Sequence, residues 1–342
     1  MGVLVASDLD RTLIYSERAM ALDTSDRPAP RLLCVEEYQG RPLSFMTGRA
    51  AALLAELARE TCFVPATTRT PEQYGRIRLP GPTPDWVPAY AICANGGQLL
   101  VDGVPDGDWR TEITGRIAAG SAPLEEVVRR LAECAAPEWT RKRSVADGLF
   151  AYLVVERAAL PEGWLAELTG WCAERGWTVS LQGRKVYAVP VPLTKSAALA
   201  EVVRRGGGAD GGSGGAAGRG AGGRGMGGGG ADGGGADGGG ADGGAVTVLA
   251  AGDSLLDADL LLAADAGWRP GHGELADSGW TAPGVTALAE VGVTAGEEIV
   301  RRFLAAVSGA AGAPGPAGPA GPAGAAGATG TAGASAGSAL SG

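Results

Sequence analysis

The sequence predicts an α/β protein built on a parallel sheet, because short apolar runs alternate with helical patterns along the chain. The first apolar run, residues 3–6, changes abruptly into acidic residues at Asp8 and Asp10. A buried strand of a parallel sheet has this pattern where its carboxyl end meets solvent, and open α/β sheets bind ligands at that edge. We therefore expect a Rossmann-like core with helices on both faces. The predicted strands are residues 2–7, 43–46, 90–93 and 246–251, and a helix is predicted at residues 50–59.

Residues 108–186 differ from this alternating pattern and predict an inserted α+β unit. The predicted core is therefore discontinuous and comprises residues 1–107 and 187–305. Within the insertion, the apolar spacing indicates helices at residues 122–135 and 161–175 and strands at residues 149–155 and 177–181. A further strand, at residues 185–189, crosses its end.

Two segments are too rich in small residues to bury an apolar core. Residues 206–245 are almost entirely Gly, Ala and Asp, which predicts a disordered insertion within the core. Residues 309–342 are rich in Gly, Ala and Pro, with glycine at every third position from Gly309 to Gly333. This collagen-like register is short, so we expect a disordered tail rather than a triple helix.

The formal net charge of −9 argues against nucleic acid or an anionic membrane surface as the main partner. No apolar run is long enough to span a membrane, and the chain before Asp8 lacks the basic start of a signal peptide. The five cysteines form no C-x-x-C pair, which favours isolated thiols in a reducing compartment. We therefore predict a cytoplasmic protein. Nothing in the sequence indicates its oligomeric state.

Four groups of polar residues follow predicted strands or begin predicted helices, and together they suit phosphoryl transfer. Paired carboxylates can hold a hard metal ion and leave one oxygen as a nucleophile. A hydroxyl, backbone N–H groups and an ammonium can bind phosphoryl oxygens. Each group also has an ordinary alternative: Thr47 can be a helix N-cap, Lys195 a solvated side chain, and Asp253 part of a turn. The groups are Asp8 with Asp10, Thr47-Gly48-Arg49, Lys195, and Asp253 with Asp257.

These groups resemble the motifs of the haloacid dehalogenase superfamily, in particular its Cof-type and sucrose-phosphatase-like branch. The Asn95-Gly96 pair also matches a turn common just before the cap of that branch. The similarity covers residues 1–105 and 185–305, and over the insertion only the position and the α+β pattern match. The matching motifs are D-x-D-x-T at Asp8 to Thr12, Thr-Gly-Arg at residues 47–49, the lysine motif at Lys195, and G-D-x-x-x-D at Gly252 to Asp257.

The resemblance implies an enzyme with an α+β cap and a Mg²⁺ ion. Asp8 would attack phosphorus and form an aspartyl-phosphate, and Asp10 would serve as acid and then base. The ion would be held by Asp8, the backbone carbonyl of Asp10, and Asp253, with Asp257 completing the site. The phosphoryl oxygens would be bound by Thr47, Gly48 and Lys195.

Two positions depart from the branch: Leu256 stands where Asn is usual, and Arg11 stands where Gly is usual. Arg11 can add a positive charge near the substrate. His272, the only histidine, lies in a predicted loop, and we expect no catalytic role for it. The candidate substrate-binding residues are Arg11, Arg49, Asn95, Arg184 and Lys185.

The expected function is a Mg²⁺-dependent phosphatase that acts through an aspartyl-phosphate on a small soluble phosphorylated metabolite, and the resemblance favours a sugar phosphate. One alternative is a phosphomutase, which would use the same nucleophile but return the phosphoryl group. The other is a non-catalytic scaffold or binding protein that depends on the glycine-rich segments.

Overall fold

The computed structural model describes residues 2–22, 29–206 and 246–312. Its largest feature is an eight-stranded sheet in which six neighbouring strands are parallel and two strands at one edge are antiparallel. The parallel sheet expected from the sequence is therefore confirmed. In spatial order the strands are β14 (Val285–Ala287), β13 (Ala266–Arg269), β12 (Thr247–Ala251), β1 (Val3–Asp8), β4 (Cys62–Ala66), β5 (Tyr90–Cys93), β6 (Gln98–Val101) and β7 (Val104–Pro105).

Strand β1 lies at the centre of the sheet and is buried on both faces. Leu4 and Ala6 pack into one apolar cluster, whereas Val5 packs into another on the opposite face. This alternation is the period-two pattern of a strand between two layers of helices. The register pairs Ser7 with Ala251 of β12 and Asp8 with Ala66 of β4, so the carboxyl ends of these three strands meet at one edge.

Helices cover both faces of the sheet, as expected. One face carries α1 (Gly48–Glu60) and α9 (Val293–Gly312), and the other carries α6 (Lys195–Arg204) and α7 (Ala258–Leu262). The short helices α2 (Pro71–Tyr74) and α8 (Glu274–Asp277) lie in loops after β4 and β13. None of the described helices is both long and apolar enough to cross a membrane.

The chain between β7 and α6 forms a separate antiparallel sheet with its own helices, which matches the expected α+β insertion. In spatial order its strands are β10 (Trp177–Gln182), β11 (Lys185–Pro190), β9 (Phe150–Val155) and β8 (Thr140–Ala146). The predicted boundary after residue 186 falls inside β11, so the sheet continues four residues further. The helices are α3 (Gly107–Gly120), α4 (Leu124–Cys134) and α5 (Trp164–Ala173).

The strand expected at residues 43–46 forms, but not in the main sheet. Strand β3 (Arg41–Thr47) pairs with β2 (Leu32–Tyr38) in a two-stranded antiparallel sheet, and its Phe45 also forms an isolated antiparallel bridge with Tyr15. Strand β1 is flanked by β12 on one side and by β4 on the other, and β4 is absent from the strands predicted from the sequence. Pro65 interrupts its short apolar run, and a proline argues against a central strand.

Most of the two glycine-rich segments lies outside the described residues, so the expectation of disorder at 206–245 and 309–342 stays a prediction. One boundary is corrected, because α9 continues to Gly312, beyond the predicted start of the tail at Gly309.

Candidate active site

The centre of the site is a buried lysine between two carboxylates. The Lys195 Nζ atom donates hydrogen bonds to Asp8 Oδ1 at 2.6 Å and to Asp257 Oδ1 at 2.5 Å. The lysine side chain is only 1% exposed. Thr194 is the N-cap of α6 and accepts a hydrogen bond from Ala197 N, so the helix begins at Lys195. The alternative of a solvated lysine is therefore excluded.

The Asn95-Gly96 turn packs against the segment that carries Lys195 and stabilises it. The amide of Asn95 donates a hydrogen bond to Leu193 O at 2.8 Å. Gly96 has a φ of +98°, and a Cβ there would lie 2.0 Å from Thr194 O. Because L side chains rarely adopt that φ and no atom fits that space, glycine is required. Asn95, a candidate substrate-binding residue, is buried and does not line the cavity described below.

The loop after β12 is shaped around Asp257. The Asp257 Oδ2 atom accepts hydrogen bonds from Asp253 N, Ser254 N and Ser254 Oγ, the last at 2.6 Å. Both Asp257 oxygens are thus engaged, one by this loop and one by Lys195. The Asp253 carboxylate instead faces a cavity, with Arg11 Nε at 3.3 Å. This geometry assigns orientation to Asp257 and leaves Asp253 available to a ligand.

Burial dominates the electrostatics of these acids. Burial raises the pKa of Asp8 above its usual value; Lys195 opposes the shift, and Asp257 adds to it. The pKa of Asp253 is raised in the same way, by burial and then by the charges of Asp8 and Asp257. For Lys195, burial alone lowers the pKa, but the two carboxylates outweigh it and raise the pKa, so the lysine is a permanent cation.

The acidic residues fit a metal ion. Asp8, Asp253 and Asp257 each offer a carboxylate oxygen, and these oxygens lie within 4.8 Å of one another. Three carboxylates against one lysine leave an excess of buried negative charge, and carboxylate oxygens suit a hard divalent cation. The carboxylate of Asp10 is outside this cluster.

The Asp10 carboxylate is held by an arginine that the sequence analysis did not identify. Arg69 donates to its two oxygens at 2.7 and 2.8 Å, and Arg69 also pairs with buried Glu36 at 2.8 Å. Burial raises the pKa of Asp10, but the charge and hydrogen bonds of Arg69 outweigh it and lower the pKa below its usual value. Asp10 therefore stays ionised and fixed in place.

The structure does not bring Thr47, Gly48 and Arg49 to this site, which corrects the sequence expectation. Thr47 Oγ1 accepts a hydrogen bond from Ala50 N, as an N-cap, and donates to Glu297 Oε2 at 3.0 Å. Arg49 pairs with the same Glu297 at 3.4 Å. These residues line a different cavity, of about 610 Å³. The physical reason is that β3 lies outside the main sheet, and a neighbouring carboxylate also disfavours a phosphate.

A second Thr-x-Arg sequence, Thr67-Thr68-Arg69, follows β4 and occupies the place expected for the first. Thr67 is one residue beyond Ala66, the partner of Asp8 in the sheet. Its Oγ1 accepts a hydrogen bond from Arg69 N at 3.1 Å, which leaves its hydroxyl proton available for donation. Thr68 lines the cavity beside Asp10. The sequence contains this second Thr-x-Arg, but the sequence prediction named only Thr47-Gly48-Arg49.

The cavity lies between the main sheet and the inserted sheet and measures about 520 Å³. Three of the candidate substrate-binding residues, Arg11, Arg184 and Lys185, line it together with Asp10 and Asp253. His272 also lines it, but its ring has structural contacts. Gly292 N donates to Nδ1 at 3.1 Å, so Nε2 carries the proton and donates to Arg11 O at 2.8 Å.

The inserted sheet is bound directly to the loop that carries Asp253. Glu274 accepts hydrogen bonds from Ser180 Oγ at 2.6 Å and Leu181 N at 2.9 Å on β10, and from Leu255 N at 3.0 Å in the loop. Gln182 Nε2 donates to Ser254 Oγ at 3.0 Å. These contacts hold the inserted sheet over the acidic cluster.

Solved structures show which fold this is. No protein-family model matches the sequence, and a comparison with curated proteins gives no match. The sucrose-phosphatase of Synechocystis sp. PCC6803, solved with sucrose and phosphate, has a TM-score of 0.54 at 13% identity, over 88% of this chain and 98% of that one.

Two further similar structures have lower scores. The trehalose-6-phosphate phosphatase C-terminal domain of C. albicans has a TM-score of 0.47 at 12% identity, over 89% of this chain and 92% of that one. A sugar phosphatase of haloacid dehalogenase subclass IIB has a TM-score of 0.46 at 11% identity, over 89% of this chain and 99% of that one. The sucrose-phosphatase similarity shows the fold: the chain has the fold of that phosphatase over nearly its whole length.

Proposed function

We propose that this protein is a Mg²⁺-dependent phosphatase that acts through an aspartyl-phosphate on a small phosphorylated metabolite. The observation that carries the proposal is the buried Asp8–Lys195–Asp257 chain beside Asp253, at the sheet edge and next to a cavity. The structural similarity to a sucrose-phosphatase supports a sugar phosphate as the substrate class. A cavity of about 520 Å³ also suits a ligand of that size.

Asp8 is the proposed nucleophile. Lys195 binds its Oδ1, and Thr12 Oγ1 donates to its Oδ2 at 3.0 Å, so the carboxylate is held in one orientation. Attack on phosphorus forms a bond from an Asp8 oxygen and breaks the bond to the leaving alcohol. Water then cleaves the aspartyl-phosphate and releases inorganic phosphate.

Asp10 is the proposed acid and base, and Arg69 determines its protonation state before substrate binds. The Arg69 pair keeps the carboxylate ionised, the form that accepts a proton from attacking water. Transfer of a proton to the leaving oxygen needs the protonated form, so binding of substrate must loosen the pair in the first half of the reaction.

The transferring phosphoryl group would be bound by Lys195 and by the segment after β4. We assign to Thr67 the role that Thr47 was expected to have, with its hydroxyl as donor to a phosphoryl oxygen. Mg²⁺, held by Asp8 and Asp253, with Asp257 orienting the loop, would offset the negative charge of the phosphoryl oxygens.

The proposed location is the cytoplasm. All five cysteines are free thiols in the structure, and burial raises the pKa of four of them, Cys62, Cys93, Cys134 and Cys172. Protonated, partly or fully buried thiols fit a reducing compartment.

The first prediction tests the nucleophile. With Mg²⁺ and a panel of phosphorylated sugars, Asp8→Asn should lower turnover by about 10³-fold or more, because the amide cannot form the acyl-phosphate. The measurement is release of inorganic phosphate. Asp265→Asn, at an acid away from the cavity, is the control and should keep activity. Unchanged turnover in Asp8→Asn would contradict the mechanism.

The second prediction separates the two Thr-x-Arg sequences. Thr67→Val should lower kcat/KM by about 10- to 100-fold, since it removes one donor to the transferring group, while Thr67→Ser should retain activity. Thr47→Val is the matched control, and we expect its kcat/KM to stay within about threefold of the wild type. A larger loss of kcat/KM in Thr47→Val than in Thr67→Val would instead assign phosphate binding to Thr47.

The third prediction concerns pH and metal. Because Asp8 and Asp253 have raised pKa values, the folded chain keeps protons that the unfolded chain loses near pH 4. The free energy of unfolding in EDTA should therefore fall as pH rises from about 5 to about 7, at up to about 1.4 kcal/mol per pH unit per carboxyl. Mg²⁺ should reduce this fall, because a cation favours the ionised acids.

The control for this prediction is Asp253→Asn, measured by urea unfolding at the same pH values. His272, whose pKa is lowered by burial, contributes the opposite slope in both chains, so the difference between them isolates the carboxyl. Asp253→Asn should be less sensitive to pH in EDTA. Identical slopes for the two chains would contradict the assigned shift.

A further inference from the structure

The wall of the cavity opposite the acidic cluster carries an excess of positive charge. Four cations line the cavity, Arg11, Arg18, Arg184 and Lys185, against two acids. Both acids already have partners: Asp10 is held by Arg69, and Asp253 faces Arg11. Within the described residues, Arg18, Arg184 and Lys185 form no ion pair with a carboxylate, although the whole chain has a net charge of −9.

We propose that the substrate is a phosphomonoester with a second anionic group, a carboxylate or another phosphate, bound by Arg18, Arg184 and Lys185. This inference rests on the proposed function and narrows its substrate class. The phosphoryl group that is transferred already has Lys195, Thr67 and the metal. The three cations that line the same cavity are therefore available to a second anionic group, with which they would form charge-assisted hydrogen bonds.

One of the two cations from the inserted sheet, Lys185, is held in position before any ligand binds. Arg184 and Lys185 lie at the tight turn between β10 and β11, where Gly183 has a φ of +57°. The Lys185 ammonium lies 5.5 Å from the centre of the Tyr152 ring and 5.8 Å from that of Tyr187. Cation–π contacts with two rings restrict this long side chain, so binding an anion costs less conformational entropy.

Arg11 joins this cationic wall to the acidic cluster. Its φ is +68°, the region that favours glycine, and His272 holds its carbonyl in that conformation. Its buried Nε atom lies 3.3 Å from Asp253 Oδ2, in an ion pair that lacks the geometry of a hydrogen bond. A Cβ on Gly183 would lie 3.8 Å from Arg11 Nη1, so the arginine reaches the turn of the inserted sheet. The Arg11 guanidinium therefore places a positive charge between the anion site and the acidic cluster.

The test compares esters that differ by one anionic group. The carboxylate pair is glycerol 2-phosphate and 2-phosphoglycerate, and the phosphate pair is fructose 6-phosphate and fructose 1,6-bisphosphate. We expect kcat/KM to be at least about tenfold higher for the more anionic member of one pair, mainly through KM. The pair that shows the difference identifies the anion as carboxylate or phosphate.

The double variant Arg184→Gln with Lys185→Gln should reduce that ratio to about one, by weakening only the more anionic ester. The matched control is Arg129→Gln with Lys142→Gln, which removes the same charge from exposed positions of the inserted unit outside the cavity. The control should keep the wild-type ratio. Ratios near one in the wild type, or a ratio that the first variant leaves unchanged, would overturn the proposal.

A binding measurement distinguishes this proposal from the proposed function. If none of the esters is hydrolysed, the phosphatase assignment fails, and calorimetry with Asp8→Asn and the same pairs still decides the question of the second anion. Tighter binding of 2-phosphoglycerate or fructose 1,6-bisphosphate than of its partner supports the proposal. Equal binding, or binding of none of the four, overturns it.

Discussion

The site depends on one interaction, the buried ammonium of Lys195 between Asp8 and Asp257. Removing an ion from water costs several kcal/mol, and that cost is offset only when the partners have good geometry and their other atoms are also bonded. Here they are: Asp8 accepts from Thr12, and Asp257 accepts from Asp253 N and Ser254. Much of the surrounding structure holds these three charged groups in position.

Each member of that interaction comes from a different part of the chain, and the sheet brings them together. Asp8 ends β1, and Asp257 belongs to the loop after β12, the strand beside β1. Lys195 begins α6, whose start is fixed by the Asn95-Gly96 turn after β5. The inserted sheet, between β7 and α6, then closes over this edge through Glu274.

The sequence could predict the groups whose signals are local. Asp8, Lys195 and Asp253 each stand at a junction between a strand and a helix, and such junctions are visible as a change from apolar to polar residues. Sequence alone does not distinguish Thr47 from Thr67 as the residue next to Asp8, because both begin a Thr-x-Arg sequence after a short apolar run. Only strand pairing distinguishes them. Arg69 and Glu36 are likewise recognised only through long-range contacts with Asp10.

The central claim is that Asp8 takes the phosphoryl group, and chemical trapping tests it most directly. The protein would be mixed with Mg²⁺ and a hydrolysed ester, quenched in acid and reduced with borohydride, which converts an aspartyl-phosphate to homoserine. We expect mass spectrometry to find homoserine at position 8 and at no other aspartate. Homoserine at a different aspartate, or none during active turnover, would contradict the account.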